Sequence, residues 1–144
     1  MKTIKEFQGQ YRFLSNFWLC DVVYDGIRFP SAENAYQAAK CAHNSDRIAF
    51  KNITPGQAKR KGKQVIIRGD WEQVKKKVMK EVVLAKFQQN IMLLIDLKNT
   101  GDAVLEEGNR WGDTYWGICR GIGENNLGKI LMEVRQEINS RKPC

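Results

Sequence analysis

Four side chains that could take part in chemistry are spaced so that a helix would place them on one side: Glu33, Tyr36, Gln37 and Lys40. A helix turns by about 100° per residue, so positions three and four apart are neighbours on its surface. A carboxylate in apolar surroundings can act as a general acid. An amine in the same surroundings can lose its proton and become a nucleophile toward an aldehyde. This polar stripe therefore carries groups suited to acid–base and imine chemistry.

The residues around the stripe predict where the helix begins. Pro30 favours an extended backbone before it, and Ser31 is a good N-cap, since its hydroxyl can accept a hydrogen bond from a free backbone N–H. The side opposite the stripe is nearly all alanine (Ala35, Ala38, Ala39 and Ala42). From this pattern alone we expect the alanines to pack, the stripe to be the solvated face, and the helix to end near His43.

Length and composition predict one globular domain over residues 1–144. The chain has 42% hydrophobic and 28% charged residues, and it is long enough for a hydrophobic core without disulfides. Its net charge of +8 favours polyanionic partners such as nucleic acid, nucleotides or sugar phosphates. Basic proteins without such partners are also common, so charge alone does not decide the function.

The cysteines and the single histidine, His43, do not form a metal-binding pattern. No CxxC pair occurs among Cys20, Cys41, Cys119 and Cys144. We therefore expect no metal, and free thiols in a reducing cytoplasm. We also expect no membrane partner, because the chain turns polar directly after Met1 and no apolar run approaches spanning length.

The hydrophobic periodicity predicts a helix-rich α+β single domain with about six helices around a small antiparallel sheet. The predicted strands are Thr3–Phe7, a hairpin over Val22–Phe29 that turns at Asp25-Gly26, and Ala103–Glu107. The predicted helices begin at the N-caps Ser31, Asp46, Thr54 and Asp70, and further helices cover Ile91–Asn99 and the segment from Leu127 onward. Thr54 and Gln57 form a capping-box pattern around Pro55.

Two segments combine aromatic and polar residues. In Tyr11–Trp18, Arg12, Ser15 and Asn16 lie among four aromatics, which fits either a capped core or the wall of a ligand site. The glycine-rich stretch Gly108–Gly128 contains Asp113 and Trp116 and leads into a helix, whose N-terminus could bind a phosphate. It lacks the Walker and Rossmann spacings, and ordinary turn and capping roles fit it equally well.

Eight ordered motifs resemble those of the YbiA-like NADAR family, whose name refers to an association with NAD and ADP-ribose. They span nearly the whole chain: Phe13–Phe17, Phe29–Glu33, Ala35–Lys40, Arg68–Trp71, Lys86–Asn90, Thr100–Asp102, Asp113–Gly117 and Asn126–Met132. The resemblance implies an N-glycosidase without a cofactor. Some members cleave ribosylamino-pyrimidine phosphates of riboflavin synthesis, and others remove ADP-ribose from modified guanine. The family often has a histidine after the glutamate, where this chain has Asn34.

The resemblance also implies roles for individual residues. The catalytic set is Lys40, Glu33 and Asp113, and the substrate-binding set is Arg12, Ser15, Asn16, Tyr36, Trp71, Trp116 and Asn126. In one route a carboxylate helps to open the ribose ring and Lys40 attacks C1 to form a Schiff base. In the competing route Glu33 activates water for direct attack. The alternative function is a non-catalytic module that binds ADP-ribose or nucleic acid. The oligomeric state stays open.

Overall fold

The computed structural model describes residues 2–141, and most of its helices and strands are short. The helices are α1 (Ala32–Ala39), α2 (Asn44–Arg47), α3 (Pro55–Lys61), α4 (Trp71–Gln89), α5 (Ile91–Lys98) and α6 (Asn126–Ser140). Two 3₁₀ helices cover Gly9–Leu14 and Ile48–Phe50. The strands are β1 (Thr3–Ile4), β2 (Leu19–Tyr24), β3 (Ile27–Ser31), β4 (Val104–Leu105), β5 (Gly108–Asn109) and β6 (Ile118–Cys119).

This secondary-structure content confirms the predicted helix-rich α+β class, but the strands form three separate pairs in place of one sheet. Strands β2 and β3 pair antiparallel, whereas β1 with β4 and β5 with β6 pair parallel. The parallel pairs were not predicted, because two-residue strands show no measurable periodicity. The chain divides into two units, one consisting of Asn16–Ile91 and the other of the first fifteen residues together with the chain from Met92.

Helix α1 is the central element of the Asn16–Ile91 unit. It packs against α3, α4, β3 and the 3₁₀ helix Ile48–Phe50, and all eight of its residues are buried. The prediction of a solvated stripe is therefore wrong: Glu33 is only 8% exposed and Gln37 only 5%. The reason is that neighbouring elements cover the helix on more than its alanine side, so its polar groups are buried too.

The predicted start of α1 is confirmed and its predicted end is wrong. The Ser31 hydroxyl accepts a hydrogen bond from the backbone N–H of Asn34. The helix stops at Ala39 because the following backbone bonds to a more distant segment. Ala42 N–H donates to Ile66 O at 2.9 Å, and Arg68 N–H donates to Lys40 O at 2.9 Å.

The hairpin and the capping box are confirmed. Asp25 and Gly26 both have positive φ, 51° and 78°, and Tyr24 pairs with Ile27 across the turn. Thr54 and Gln57 exchange both hydrogen bonds of the box at the start of α3.

One predicted N-cap is confirmed in position but lacks its capping bond, and another is wrong. Asp70 occupies the N-cap position of α4, but its carboxylate makes no capping bond, because it is held by Arg68 at 2.6 and 3.0 Å. Asp46 lies inside α2, where His43 occupies the N-cap position.

Helix α4 buries one apolar side that also contains a lysine. Its buried apolar residues are Trp71, Val78, Met79, Val82, Val83 and Phe87. Lys86 lies among them and is 1% exposed. Burial lowers the pKa of its amine to about 8.

In the other unit, α6 packs against β4, and its apolar residues Leu127, Ile130, Leu131, Val134 and Ile138 are all buried. Cys20, Cys41 and Cys119 are free thiols, and Cys144 lies outside the described residues. Within residues 2–141, no helix has the length and apolarity needed to cross a membrane. The same residues contain no group of three His, Cys, Asp or Glu side chains arranged to hold a metal ion.

Candidate active site

Glu33 is a buried carboxylate oriented by its own helix. Its Oε2 accepts a hydrogen bond of 2.6 Å from Gln37 Nε2, one turn further along α1. Its backbone N–H donates to Asn16 O at 3.0 Å, which ties the first turn of α1 to the segment before β2. Together these bonds hold the carboxylate at a defined position.

Gln37 in turn depends on the absence of a side chain at position 62. A Cβ atom on Gly62 would overlap Gln37 Oε1 and lie 2.7 Å from its Cδ. Gly62 has φ of −61°, a backbone conformation open to any residue, so the glycine is needed for space and not for the turn. Gln37 Oε1 is buried and has no hydrogen-bond partner among residues 2–141.

Lys40 ends α1 at its C-cap and is half-buried. Burial lowers the pKa of its amine, the Glu33 carboxylate opposes this shift, and the charges of Lys63 and Lys75 lower the pKa further. Its Nζ lies 5.8 Å from the centre of the Tyr36 ring. The lowered pKa increases the fraction of neutral amine, which is the nucleophilic form.

Tyr36 and Trp71 form an aromatic wall in the same unit. Their ring centres are 5.2 Å apart with an interplanar angle of 55°, and both residues are buried. Trp71 is the first residue of α4, so the wall joins α1 to the start of that helix.

Asn16 supplies a second buried acceptor without a partner in the same unit. The residue is 7% exposed, and its Nδ2 donates to the weak acceptor Met79 Sδ, at 3.3 Å. Its Oδ1 is buried without a partner among the described residues. An unsatisfied buried acceptor costs about 1–3 kcal/mol, which makes it a natural place for a ligand donor.

In the other unit, Asp113 shapes a loop. Its Oδ1 accepts hydrogen bonds from the backbone N–H groups of Tyr115 and Trp116, at 3.1 and 2.9 Å. The Trp116 ring meets Tyr115 edge to face at 4.8 Å. Asn126 is buried, and its Nδ2 donates to Tyr115 O at 2.9 Å. Asp113, Trp116 and Asn126 thus all have contacts that order this loop.

Backbone amides at the start of α6 are used in hydrogen bonds with the glycine-rich stretch itself. The backbone N–H groups of residues 124–127 donate to carbonyl oxygens of residues 114–117. Gly123 lies so close to Gly117 O that any Cβ would overlap that oxygen. These bonds and the close approach at Gly123 favour a structural role for the stretch over a phosphate site.

The predicted site residues are distributed over both units. Asn16, Glu33, Tyr36, Lys40 and Trp71 belong to the Asn16–Ile91 unit. Arg12, Ser15, Asp113, Trp116 and Asn126 belong to the other unit, where Arg12 is an exposed residue of the first 3₁₀ helix.

The sequence placed Gln37 on the same stripe as Glu33 but did not predict its hydrogen bond to that carboxylate, and it predicted no role for Gly62. The four-residue spacing of Gln37 from Glu33 was a usable signal. Gly62 gave no sequence signal, because the residue that it accommodates, Gln37, lies 25 positions earlier in the chain.

Comparison with known proteins gives the family. The model of the NADAR domain matches residues 4–139. A riboflavin biosynthesis protein of Vibrio vulnificus is 37% identical over 137 residues, which are 91% of this chain but only 36% of that protein. N-glycosidase YbiA of Escherichia coli is 35% identical over 136 residues, covering 92% of this chain and 84% of YbiA.

The fold comparison agrees with the sequence comparison. The NMR structure of the E. coli protein YbiA matches with a TM-score of 0.84 and 34% sequence identity, over 96% of this chain and 87% of that one. The order and spacing of the motifs, the family match and the fold lead to one conclusion: this chain belongs to the NADAR domain family.

Proposed function

We propose that the chain is an N-glycosidase, a hydrolase that cleaves the N-glycosidic bond of a ribose-phosphate or ADP-ribose conjugate. The observation that carries the proposal is the half-buried Lys40, with its lowered pKa, on the same buried helix as Glu33. The names of the relatives support the reaction class. The resemblance to the NADAR family suggests two substrates for testing, a ribosylamino-pyrimidine phosphate and ADP-ribosylated guanosine.

The first route passes through a lysine Schiff base. The C1–O4 bond of the ribose breaks, the ring oxygen takes a proton through Glu33, and the nitrogen lone pair forms a C1=N bond. Lys40 Nζ adds to C1 as a free amine, and the base leaves with its nitrogen protonated. One water then hydrolyses the C1=N bond to Lys40 and returns the free lysine and ribose phosphate.

The second route needs no covalent intermediate. Glu33 takes a proton from a water molecule, and this water attacks C1. The nitrogenous base of the substrate departs at the same time, through an oxocarbenium-like transition state. The lowered pKa of Lys40 favours the first route, because a protonated amine could not add to C1.

Substrate contacts follow from the same geometry. We assign the wall of Tyr36 and Trp71 to the base or the ribose face, and Asn16 Oδ1 to a ribose hydroxyl, which would satisfy a buried acceptor. Roles for Arg12, Ser15, Asp113, Trp116 and Asn126 stay predictions from the family resemblance. We also propose that the 144 residues act as one domain, since the family match runs through both units without a break.

The test incubates the protein with each of the two substrates and measures free base by mass spectrometry. We expect base release that is lost in Lys40→Ala and Glu33→Gln and retained in Lys77→Ala, which removes an exposed lysine of α4. Binding of the substrates without release of free base would refute the proposed enzymatic activity and favour a non-catalytic binding module. A strong salt dependence toward nucleic acid would then mark nucleic acid as its ligand.

Borohydride separates the two routes. A reduced adduct of substrate mass on the wild type, absent from Lys40→Ala, supports the Schiff base. Base release without an adduct, or an adduct that persists in Lys40→Ala, refutes it. The direct attack of water would then be the remaining route.

A further inference from the structure

Gln37 has a buried side chain whose hydrogen bonds are uneven. Its Nε2 donates to Glu33 Oε2 at 2.6 Å, while its Oε1 is buried without a partner among the described residues. A buried amide oxygen without a donor is unfavourable. The hydrogen bond that the other end of the amide donates to Glu33 explains why an amide is present here despite this cost.

Gly62 makes the position of this amide possible. It follows α3 with φ of −61° and ψ of −18°, where alanine would fit the backbone and lose less conformational entropy. A Cβ atom at this position would occupy the space of Gln37 Oε1, whereas the backbone oxygen of Ala58 would be 3.3 Å away. Two residues on different helical segments thus contribute to the orientation of one carboxylate.

We propose that Gln37 is a positioning residue for Glu33 and that Gly62 is the steric slot that holds its amide. Gln37 acts through Glu33 and does not contact the substrate. The inference rests on the proposed function, because the orientation of Glu33 matters for rate only if Glu33 takes part in the reaction. Loss of the Gln37 bond would let the carboxylate rotate away from the reacting atoms.

The first measurement is steady-state base release by Gly62→Ala and Gln37→Ala. We expect kcat to fall about 10- to 100-fold in each, as for loss of one hydrogen bond to a charged group, with KM changed less than about 2-fold. Gly56→Ala is the matched control, since it makes the same substitution in α3 and its Cβ would meet only Arg60 Nη1 at 3.8 Å. It should keep the wild-type kcat.

The double variant Gly62→Ala/Gln37→Ala is the decisive test. With the amide removed, the slot is empty and the methyl group added at position 62 displaces nothing. We therefore expect the kcat of the double variant to be within about 3-fold of Gln37→Ala alone. If the two losses multiply, or if Gly62→Ala keeps the wild-type kcat, Gly62 does not act through Gln37 and the proposal is overturned.

A double-mutant cycle on thermal stability tests the pairing of Glu33 with Gln37 without an activity assay. Tm is measured for Glu33→Ala, Gln37→Ala and their double variant. We expect the Tm loss of the double variant to be smaller than the sum of the single losses, because both remove the same bond. If the wild type releases no base but this coupling is found, the proposed function fails while the Glu33–Gln37 pair stands. Additive Tm losses would refute the pairing itself.

Discussion

The buried amine of Lys86 gives the sharpest prediction about stability. Lys86 is 1% exposed on the apolar side of α4, and its Nζ lies 5.1 Å from the centre of the Phe87 ring. Burial lowers the pKa of the amine from 10.5 to about 8, against a smaller opposing effect of Cys20. The folded state therefore binds the Lys86 proton less tightly than the unfolded state does.

The size and sign of the effect follow from this difference in pKa. Below about pH 8 both states hold the proton, and the folded state carries the full penalty of a buried charge. Between about pH 8 and 10.5 the unfolded state binds more protons, so the free energy of unfolding rises with pH. At 1.36 kcal/mol for each tenfold change in proton affinity, the whole penalty is about 3 kcal/mol.

Lys86→Met removes the amine and keeps an unbranched side chain of similar length. We expect the variant to be more stable than the wild type by about 2–3 kcal/mol at neutral pH, after a small repacking loss. This advantage should shrink toward zero as the pH approaches 10.5, where both states of the wild type become neutral. Urea unfolding at several pH values measures it directly.

The matched control is Lys77→Met, which makes the same substitution at an exposed position of α4. Its effect on the free energy of unfolding should be small and independent of pH. A stability difference for Lys86→Met that stays constant from about pH 7 to about pH 10 would refute the reasoning. So would a variant less stable than the wild type at neutral pH.

Two further predictions concern the site. Lys63→Ala should raise the pKa of Lys40, because it removes a like charge. The acidic limb of the pH–rate profile for base release should then move to higher pH, and the rate at neutral pH should fall. An unmoved limb would show that Lys63 has no influence on the reaction. Asn34→Ala should lower the free energy of unfolding by about 2–4 kcal/mol, because its buried Nδ2 donates to Phe50 O and Ile53 O, each at 2.9 Å; urea unfolding measures this, and a loss below about 1 kcal/mol would contradict it.

Part of the candidate site could be predicted from the sequence. The spacing of Glu33, Gln37 and Lys40 placed them on successive turns of one helix, and the structure adds the hydrogen bond between Glu33 and Gln37. Burial could not be predicted, because the same spacing suits a solvated stripe and a covered one. The distinction depends on α3 and α4, which pack against α1 from later in the chain.

Lys86 carries a sequence signal for its burial. It follows Val82 by four positions and Val83 by three, so helical spacing places it on the apolar side of α4. By contrast, the preceding lysines Lys76 and Lys77 are exposed. Spacing was the better guide here than residue type.

By itself the sequence determined the local features of this protein: the Ser31 cap, the Thr54 capping box, the Asp25-Gly26 turn and the apolar side of α6. Each depends on residues within a few positions, so the interactions that decide it are visible in a short window. The tertiary structure alone decided the burial of α1, the lowered pKa of Lys40 and the slot at Gly62. These depend on atoms that the fold brings together from distant positions, and desolvation and steric overlap act only once those atoms are in place.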